Sequence, residues 1–568
     1  MFNVEEMSIQ NIDHLGIVDA IGLVEIINDL LGKEEEEKVS AGHVVKAMIL
    51  NGLGFVSQPL YMFPKFFESI PCEHLIGEGV KAEYLNDDKL GRVMDKMFLT
   101  GLETIFLAIS LNVVKKFKIQ TTTSHLDSSS IHVHGEYKTT LPEVIFENSK
   151  IEDESDQEES QLKSKQAINI TYGYSRDHRP DLKQFLIELI CTGDADIPLF
   201  FKTASGNKVD SSYFGEIAVE YKNQIQLDSL IVADCALYTE ANLKLMSEMK
   251  WLCRVPLSLK LAQSLVSTLP ESKFTESELK GYSFVSQESD YGGIEQRWLV
   301  VQSQERREVD LRKLSQKILK AEEKARSELK KLSSEKFACE ADAVKALSKL
   351  SQKFKYHQIE KHKVTVITPK AQGAEIPSDI YQISATIIKD ETKISQDSLS
   401  AGRFIIATNV LELNQLGNST MISHYKAQQS CERGFAFLKD PSFFANSVYL
   451  KRPERIEALA MIMGFCLLVY KLAQRQIRLA LYESRLTVKN QLGKPIDNPT
   501  LKWIFQSFQS IHLVIFHEKK QVSNWNQQRN FILNLLPEDW SALLSIHHII
   551  RFFKCIISPA TGYFFFRK

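Results

Sequence analysis

Apolar residues recur at every third or fourth position through residues 1–115, and from about residue 121 they alternate or run together. The first region therefore reads as helical. "DHLGIVDAIGLVEIINDLLG" keeps a helical period and stops at Gly32, a C-cap residue. "SAGHVVKAMILNGLG" begins at Ser40, an N-cap residue, and "QPLYMFPKFFES" predicts a further helix, so that the two form a helix-turn-helix-like pair. The second region reads as strands and helices in turn. "TTTSHLD", "LKQFLIELI" and "IPLFFKTA" are strands, "SSYFGEIAVEYKNQI" is an amphipathic helix, and "SLIVADCA" is a wholly apolar strand of the kind buried in parallel or mixed sheets. "TEANLKLMSEM", capped by Thr239, is a helix, and "WLCRVP" a strand.

The pattern then changes twice more. "RWLVVQ", "HKVTVIT" and "IYQISATII" are strands that flank a charged helical segment. In that segment Leu311, Leu314, Ile318, Ala321, Ala325, Leu329 and Leu332 step by three or four, as in a coiled-coil seam. A second helix over 341–354 completes a helical hairpin. "GRFIIATN" returns to a strand, and the run from Tyr425 to Lys439 predicts one helix that ends at Asp440-Pro441. The elements divide the chain at 1–115, 116–255, 256–400, 401–480 and 481–568. This is an α/β chain whose sheet-bearing core is interrupted by a β-rich insertion with a helical hairpin and flanked by helical N- and C-terminal regions.

Composition narrows the class. With 44% hydrophobic and 25% charged residues, the chain is that of an ordinary globular protein. The eight cysteines form no CxxC pair, which favours reduced thiols over disulfides or a zinc ribbon. "MFNVEEMSIQ" lacks a basic segment followed by an apolar run, so no secretion signal is read. "ALAMIMGFCLLVY" is too short to span a bilayer and reads as a buried core helix, so no membrane partner is expected.

Net charge is −2, but it is unevenly spread. Residues 143–160 carry eight acids and one lysine, and residues 1–70 eleven acids and four lysines. The last 68 residues hold eight Lys/Arg against three Asp/Glu, interleaved with Trp503, Phe505, Trp525 and Trp540. Such a tail can follow phosphates and stack on bases, or it can be the plain surface of a helical domain. The first 115 residues suit a contact with DNA ends or with protein.

The candidate chemistry lies in three acids, although each by itself could be a turn or helix-cap aspartate or a solvated surface glutamate. Asp127 and Asp234 end two strands expected to be neighbours, and the helix of 425–439 can bring Glu432 over them. Active sites of open α/β sheets gather at such strand ends. Three convergent carboxylates repel unless cations compensate, and hard oxygen donors suit Mg²⁺ or Mn²⁺. Two ions about 4 Å apart would activate an attacking oxygen and stabilise a leaving one. On a single helix, Tyr425, Gln428, Glu432 and Lys439 share a stripe, and it is polar where a core stripe would be apolar. His125, His132 and His134 beside Asp127 could join a zinc site or serve a structural or DNA-proximal role. Arg176, His178 and Arg179, in "SRDHRP", could contact phosphates or form an exposed loop. No Walker A, HExxH or GxSxG pattern occurs.

These blocks resemble insertion-sequence transposases of the DDE class, in the branch marked by Y-x(2)-R-x(3)-E-x(6)-K around the third acid. Tyr425, Glu432 and Lys439 match that pattern and Gln428 replaces its arginine. "HLDSSSIHVHGEY", "TYGYSRDHRPDLKQ", "LIVADCALY", "GRFIIATN" and "CERGFAFLKDPSFF" extend the likeness over residues 120–475, and the helical N-terminal region is similar to the leader domain of this branch. The resemblance implies a ribonuclease-H-like core interrupted by an insertion between the second and third acids. It also implies Mg²⁺-dependent cutting of element ends and attack by the freed 3′-hydroxyl on target DNA, with Asp127, Asp234 and Glu432 holding two Mg²⁺ or Mn²⁺ ions. Tyr425, Gln428, Lys439, Arg433, Arg176 and Arg179 are the expected DNA contacts. A homodimer in a synaptic complex on DNA, in the cytoplasm of a prokaryotic cell and associated with its nucleoid, follows from the same likeness. A nuclease of the same fold that cuts without joining, and a catalytically inactive DNA-binding or scaffolding descendant, are the alternatives.

Overall fold

The computed structural model describes residues 4–8, 12–33, 37–54, 59–68, 70, 72–135, 137, 166–209, 213–225, 228–368, 379–440, 450–508, 512–516, 519–524 and 526–535. The acidic stretch 143–160, Trp525 and Trp540 lie outside these residues. The chain is a mixed α/β protein that separates into two compact units, Met1–Met249 with Lys426–Lys568, and Lys250–Tyr425.

In the first unit a mixed sheet has the order β3-β2-β1-β4, built from β1 (Thr123–Val133), β2 (Lys183–Thr192), β3 (Pro198–Ser205) and β4 (Leu230–Ala233). β1–β2 and β2–β3 are antiparallel, whereas β1–β4 is parallel, because the helix Phe214–Ile225 carries the chain back across the sheet. All four residues of β4 are buried, as its unbroken apolar run requires.

The helices of this unit wrap one long member. We label α1 (Ala41–Leu53), α2 (Asp87–Thr100), α3 (Leu102–Phe117), α4 (Gln429–Leu438), α5 (Pro453–Ser484) and α6 (Leu501–Ser507). Ser40 caps α1, its hydroxyl accepting from the His43 backbone N–H. Gly22, at φ 76°, breaks the first predicted helix into Ile12–Ile21 and Leu23–Leu31, a left-handed conformation that glycine adopts without steric cost. α5 starts with Pro453 in its first turn, where the missing N–H leaves no gap. It packs on α1, α2, α3 and β3 and is the spine of the core. Phe465, Leu467, Leu468 and Leu472 on it are fully buried, each contributing about 1.5–3 kcal/mol by leaving water. By length and hydropathy α5 could cross a membrane, yet 94% of its most apolar window is buried within the protein.

Both termini differ from the helical expectation. Val4–Ser8 is a strand, paired antiparallel with His512–Phe516, which in turn pairs with Lys519–Val522. The β-branched and aromatic content of "HLVIF" favours this pairing over a helix.

In the second unit the strands pair antiparallel: β5 (Trp251–Val255) with β8 (Arg403–Thr408), β8 with β7 (Ile294–Ser303), and β7 with β6 (Tyr282–Tyr291). The expected helical hairpin is present as Gln304–Ser334 and Glu340–Ser351. Its seam is covered by the two-stranded ribbon His357–Ile367 and Ile380–Lys389: Leu329, Leu332, Ala343 and Leu347 form one cluster with Ile383.

Candidate active site on the first unit

Strand register decides where the first two acids fall. Leu126 lies opposite Ala233 across the parallel β1–β4 pair, so the next residue on each strand is Asp127 and Asp234. Asp234 directly follows β4, as expected. Asp127 does not end its strand, because the ladder to β2 continues through the serines that follow and β1 extends to Val133. Asp127 Oδ1 accepts from the Ser128 N–H at 2.8 Å, and Asp234 Oδ1 accepts from the Ala236 N–H at 2.8 Å in an Asx turn.

The third acid arrives on α4, which lies against β1 and β2. Ser430, Cys431, Gly434, Phe435, Phe437 and Leu438 form its buried face. Cys431 Sγ donates to the His125 carbonyl at 2.9 Å, and a Cβ on Gly434 would stand 2.8 Å from Leu189 Cδ2. Only a small residue lets the helix approach this closely. Glu432, next to the anchoring cysteine, is exposed in the first helical turn.

The electrostatics tie the three together. Burial pushes the Asp127 carboxyl up to about 7, and the charges of Asp234 and Glu432 push the same way while Arg176 opposes them. Arg176 Nη1 lies 3.8 Å from Asp127 Oδ1, and its Nη2 donates to Ser128 Oγ at 2.6 Å. Asp127 thus lies within the fields of both other acids. Among the described residues, however, no group of three His, Cys, Asp or Glu side chains is drawn tightly enough to hold a metal ion as it stands.

The other expected contacts part company. The run Tyr425–Lys439 is two helices, Asn418–Lys426 and α4, broken at Ala427–Gln428, where the bonds tighten to the Ser430 N–H on the Ala427 carbonyl and the Cys431 N–H on the Gln428 carbonyl. The four-residue stripe of one straight helix therefore does not exist. Tyr425 belongs to the second unit, with its ring 5.9 Å from that of Phe404. Gln428 stands at the N-cap of α4 without capping it, and Lys439 at its C-cap pairs with Asp177 at 2.7 Å. Arg179 is held by Asp181 at 2.8 Å, and Arg433 forks onto Asp196 at 2.6 and 2.7 Å. The three histidines also separate: His125 is buried, His132 bonds Ser175 Oγ at 2.9 Å and faces Asp177 at 3.4 Å, and His134 is exposed.

One acid near the site was not singled out from the sequence. Glu188, on β2 opposite Ser128, is 1% exposed, and its Oε2 has no hydrogen-bond partner among the described residues. Burial pushes it up to about 8, and the neighbouring Asp127 charge adds to the rise while Arg176 opposes it. The signal was the lone acid inside "QFLIELI", at a position that alternation places on one face with Ser128.

Comparison with known proteins adds little to this geometry. A family described as a domain of unknown function (DUF4277) matches residues 7–111. No match to a curated protein is found. Among solved structures, a piggyBac transposase synaptic complex with hairpin DNA aligns with 97% of this chain and 82% of that chain, at 10% identity and a TM-score of 0.34.

Proposed function

We propose that the chain is a DNA transposase of the DDE class, cutting the ends of its element and joining them to target DNA on a ribonuclease-H-like core. The observation that carries this reading is the register of β1 and β4, which sets Asp127 and Asp234 side by side, with the charge of Glu432 felt at the same buried carboxyl. The β3-β2-β1-β4 order, with β1 paired antiparallel to β2 and parallel to β4, agrees with such a core.

Asp127, Asp234 and Glu432 would hold Mg²⁺ or Mn²⁺. Their donor set is all carboxylate oxygen, and the burial and like charge that push Asp127 up to about 7 are what a hard divalent cation would offset, so the residues fit such an ion. When bound, such cations supply charge stabilisation at the attacking and leaving oxygens of a phosphodiester. The chain's own residues set up the rest. Asx-type bonds fix the rotamers of Asp127 and Asp234, and the Cys431 anchor fixes the height of Glu432 above the sheet. Arg176, braced on Ser128 Oγ, presents a guanidinium beside Asp127, where it can bind a non-bridging phosphate oxygen. Lys439 and Asp177 form a charged pair that DNA phosphate can compete for. Gln428 offers an amide without charge. A homodimer holding two ends together completes the reading, since both ends must be cut and joined as a pair.

The test is to incubate the protein with a linear fragment spanning its gene and flanks, with and without Mg²⁺, beside Glu432→Gln. Discrete metal-dependent cuts at two flanking positions with joined products, all absent in the variant, are expected. Nicking that survives the substitution would remove Glu432 from the site.

A further inference from the structure

Arg433 follows Glu432 on α4 and opens onto a cavity of about 510 Å³ that lies wholly within the first unit. Its walls come from four places in the chain: the β2–β3 turn at Ala195 and Asp196, α4 and its exit at Asp440, α5, and the start of α6. Four cations line it, Arg433, Lys471, Arg478 and Lys502, against the two carboxylates of Asp196 and Asp440. The cavity therefore carries a formal excess of two positive charges.

The arrangement of the pairs shows which charge is left over. Asp196 takes both Arg433 and Lys471, the latter at 2.9 Å, and Asp440 takes Lys502 at 2.9 Å. Arg478 donates its Nε to the Pro499 carbonyl at 2.9 Å and its Nη2 to the Asn498 carbonyl at 3.3 Å, both neutral acceptors, and feels the charge of Asp196, which Arg433 and Lys471 already share. Lys471 is only 5% exposed and Arg433 half-exposed, so one cation lies deep and another at the mouth. The turn that supplies Asp196 is itself strained. Ala195 and Asp196 sit at φ 62° and 61°, consecutive left-handed conformations that non-glycine residues seldom adopt. That strain is retained where Asp194 clasps Arg475 and Asp196 clasps α4 and α5, which sets the cations in fixed positions.

Fixed guanidinium and ammonium groups around a polar hollow recognise phosphate oxygens. Pockets of about 300–1,000 Å³ hold whole small molecules, so this one has room for more than a single phosphate group. We infer that the cavity is a DNA-backbone site, taking a phosphodiester and its sugar from a strand that passes Glu432. The inference rests on the reading of the chain as a DNA-processing protein, because a free phosphate ester would meet the same groups.

The experiment measures binding of a labelled duplex from the flank of the gene to the full-length protein in EDTA, where no cutting occurs, across a salt series. The double variant Arg478→Gln, Lys502→Gln is compared with wild type, and Lys502→Arg controls for charge against shape. Each lost phosphate contact lowers the slope of log affinity against log salt by about 1. A slope lower by about 1–2 in the double variant, restored toward wild type in Lys502→Arg, is expected, with unchanged circular dichroism. Wild-type slope and affinity in a folded double variant overturn the inference. So does thermal protection of the wild type by inorganic phosphate or a mononucleotide when DNA affinity is unaffected by the variant. Loss of the slope in a protein that never cuts DNA would sink the transposase reading and leave the cavity standing. Normal cutting with an unchanged slope would do the reverse.

Discussion

Replacing Glu188 by Gln keeps the shape of a buried side chain and removes its ionisation, so its effect on stability can be worked out over pH. In the folded protein Glu188 titrates at about 8 rather than at the 4.5 of a free glutamate, with burial the largest cause. The folded pKa is raised, so the carboxyl contributes its full stability below pH 4.5, where both states are protonated, and that contribution is lost as pH rises through 8. The difference of about 3.5 pKa units corresponds to roughly 5 kcal/mol at 1.36 kcal/mol per unit, an upper figure since local water entry relieves part of it. Wild type should therefore lose stability relative to Glu188→Gln by about 2–5 kcal/mol between pH 5 and pH 8.5, and no further above that. Urea denaturation of both proteins at five pH values in metal-free buffer, followed by a probe in the first unit, measures the gap directly. Parallel stability curves would refute the reasoning, because they would mean that Glu188 reaches water or a cation in the folded state. A gap that widens toward acid would refute it with the opposite sign.

Gly434→Val should destabilise the first unit by about 1–3 kcal/mol, since a side chain there drives into Leu189 and Leu467, whereas Ala436→Val on the exposed side should be near neutral; thermal melts compare them. Asp196→Asn should cost about 3–5 kcal/mol, because it leaves the buried Lys471 ammonium without a counter-charge, and chemical denaturation reads the loss. Mg²⁺ should raise the melting temperature of wild type but not of Asp127→Asn. That protection should fade as pH falls below about 7, where Asp127 takes up a proton, so equal protection at pH 5.5 and pH 8 would count against Asp127 as a ligand.

Much of the sheet was legible because its strands carry unambiguous signals. The apolar run of β4, the β-branched threonines that open β1 and the β-branched content of β8 each specify a pleated, buried segment. The split of Tyr425–Lys439 was not legible. "KAQQSCE" contains no proline or glycine and its residues tolerate a helix well, so nothing local marks the break at Ala427–Gln428; it depends on how α4 is pulled onto the sheet through Cys431. The strands at the termini were hidden for a similar reason, since Val4–Ser8 becomes a strand only by pairing with a segment 500 residues away. The cavity beside Arg433 could not be read at all, because "TGDADIP" looks like any polar turn until its two aspartates are seen to grip α5, and one of them α4 as well.

The placement of α5 has a consequence in time. The helix that fills the core beneath β3 and against α1, α2 and α3 is contributed by residues 453–484, whereas the elements it covers are complete by residue 205. At roughly 5–20 residues per second of synthesis, the 279 residues from 206 to the end of α5 take about 14–56 s to complete. Through that interval the apolar faces of the early helices and strands have no lid of their own. A ribosome that stalls or terminates before Pro453 therefore releases a chain with a sticky, unclosed core, which proteases and chaperones will find first. Only a chain that extends through Ser484 can bury it, so the fold itself discriminates against copies cut short before that helix.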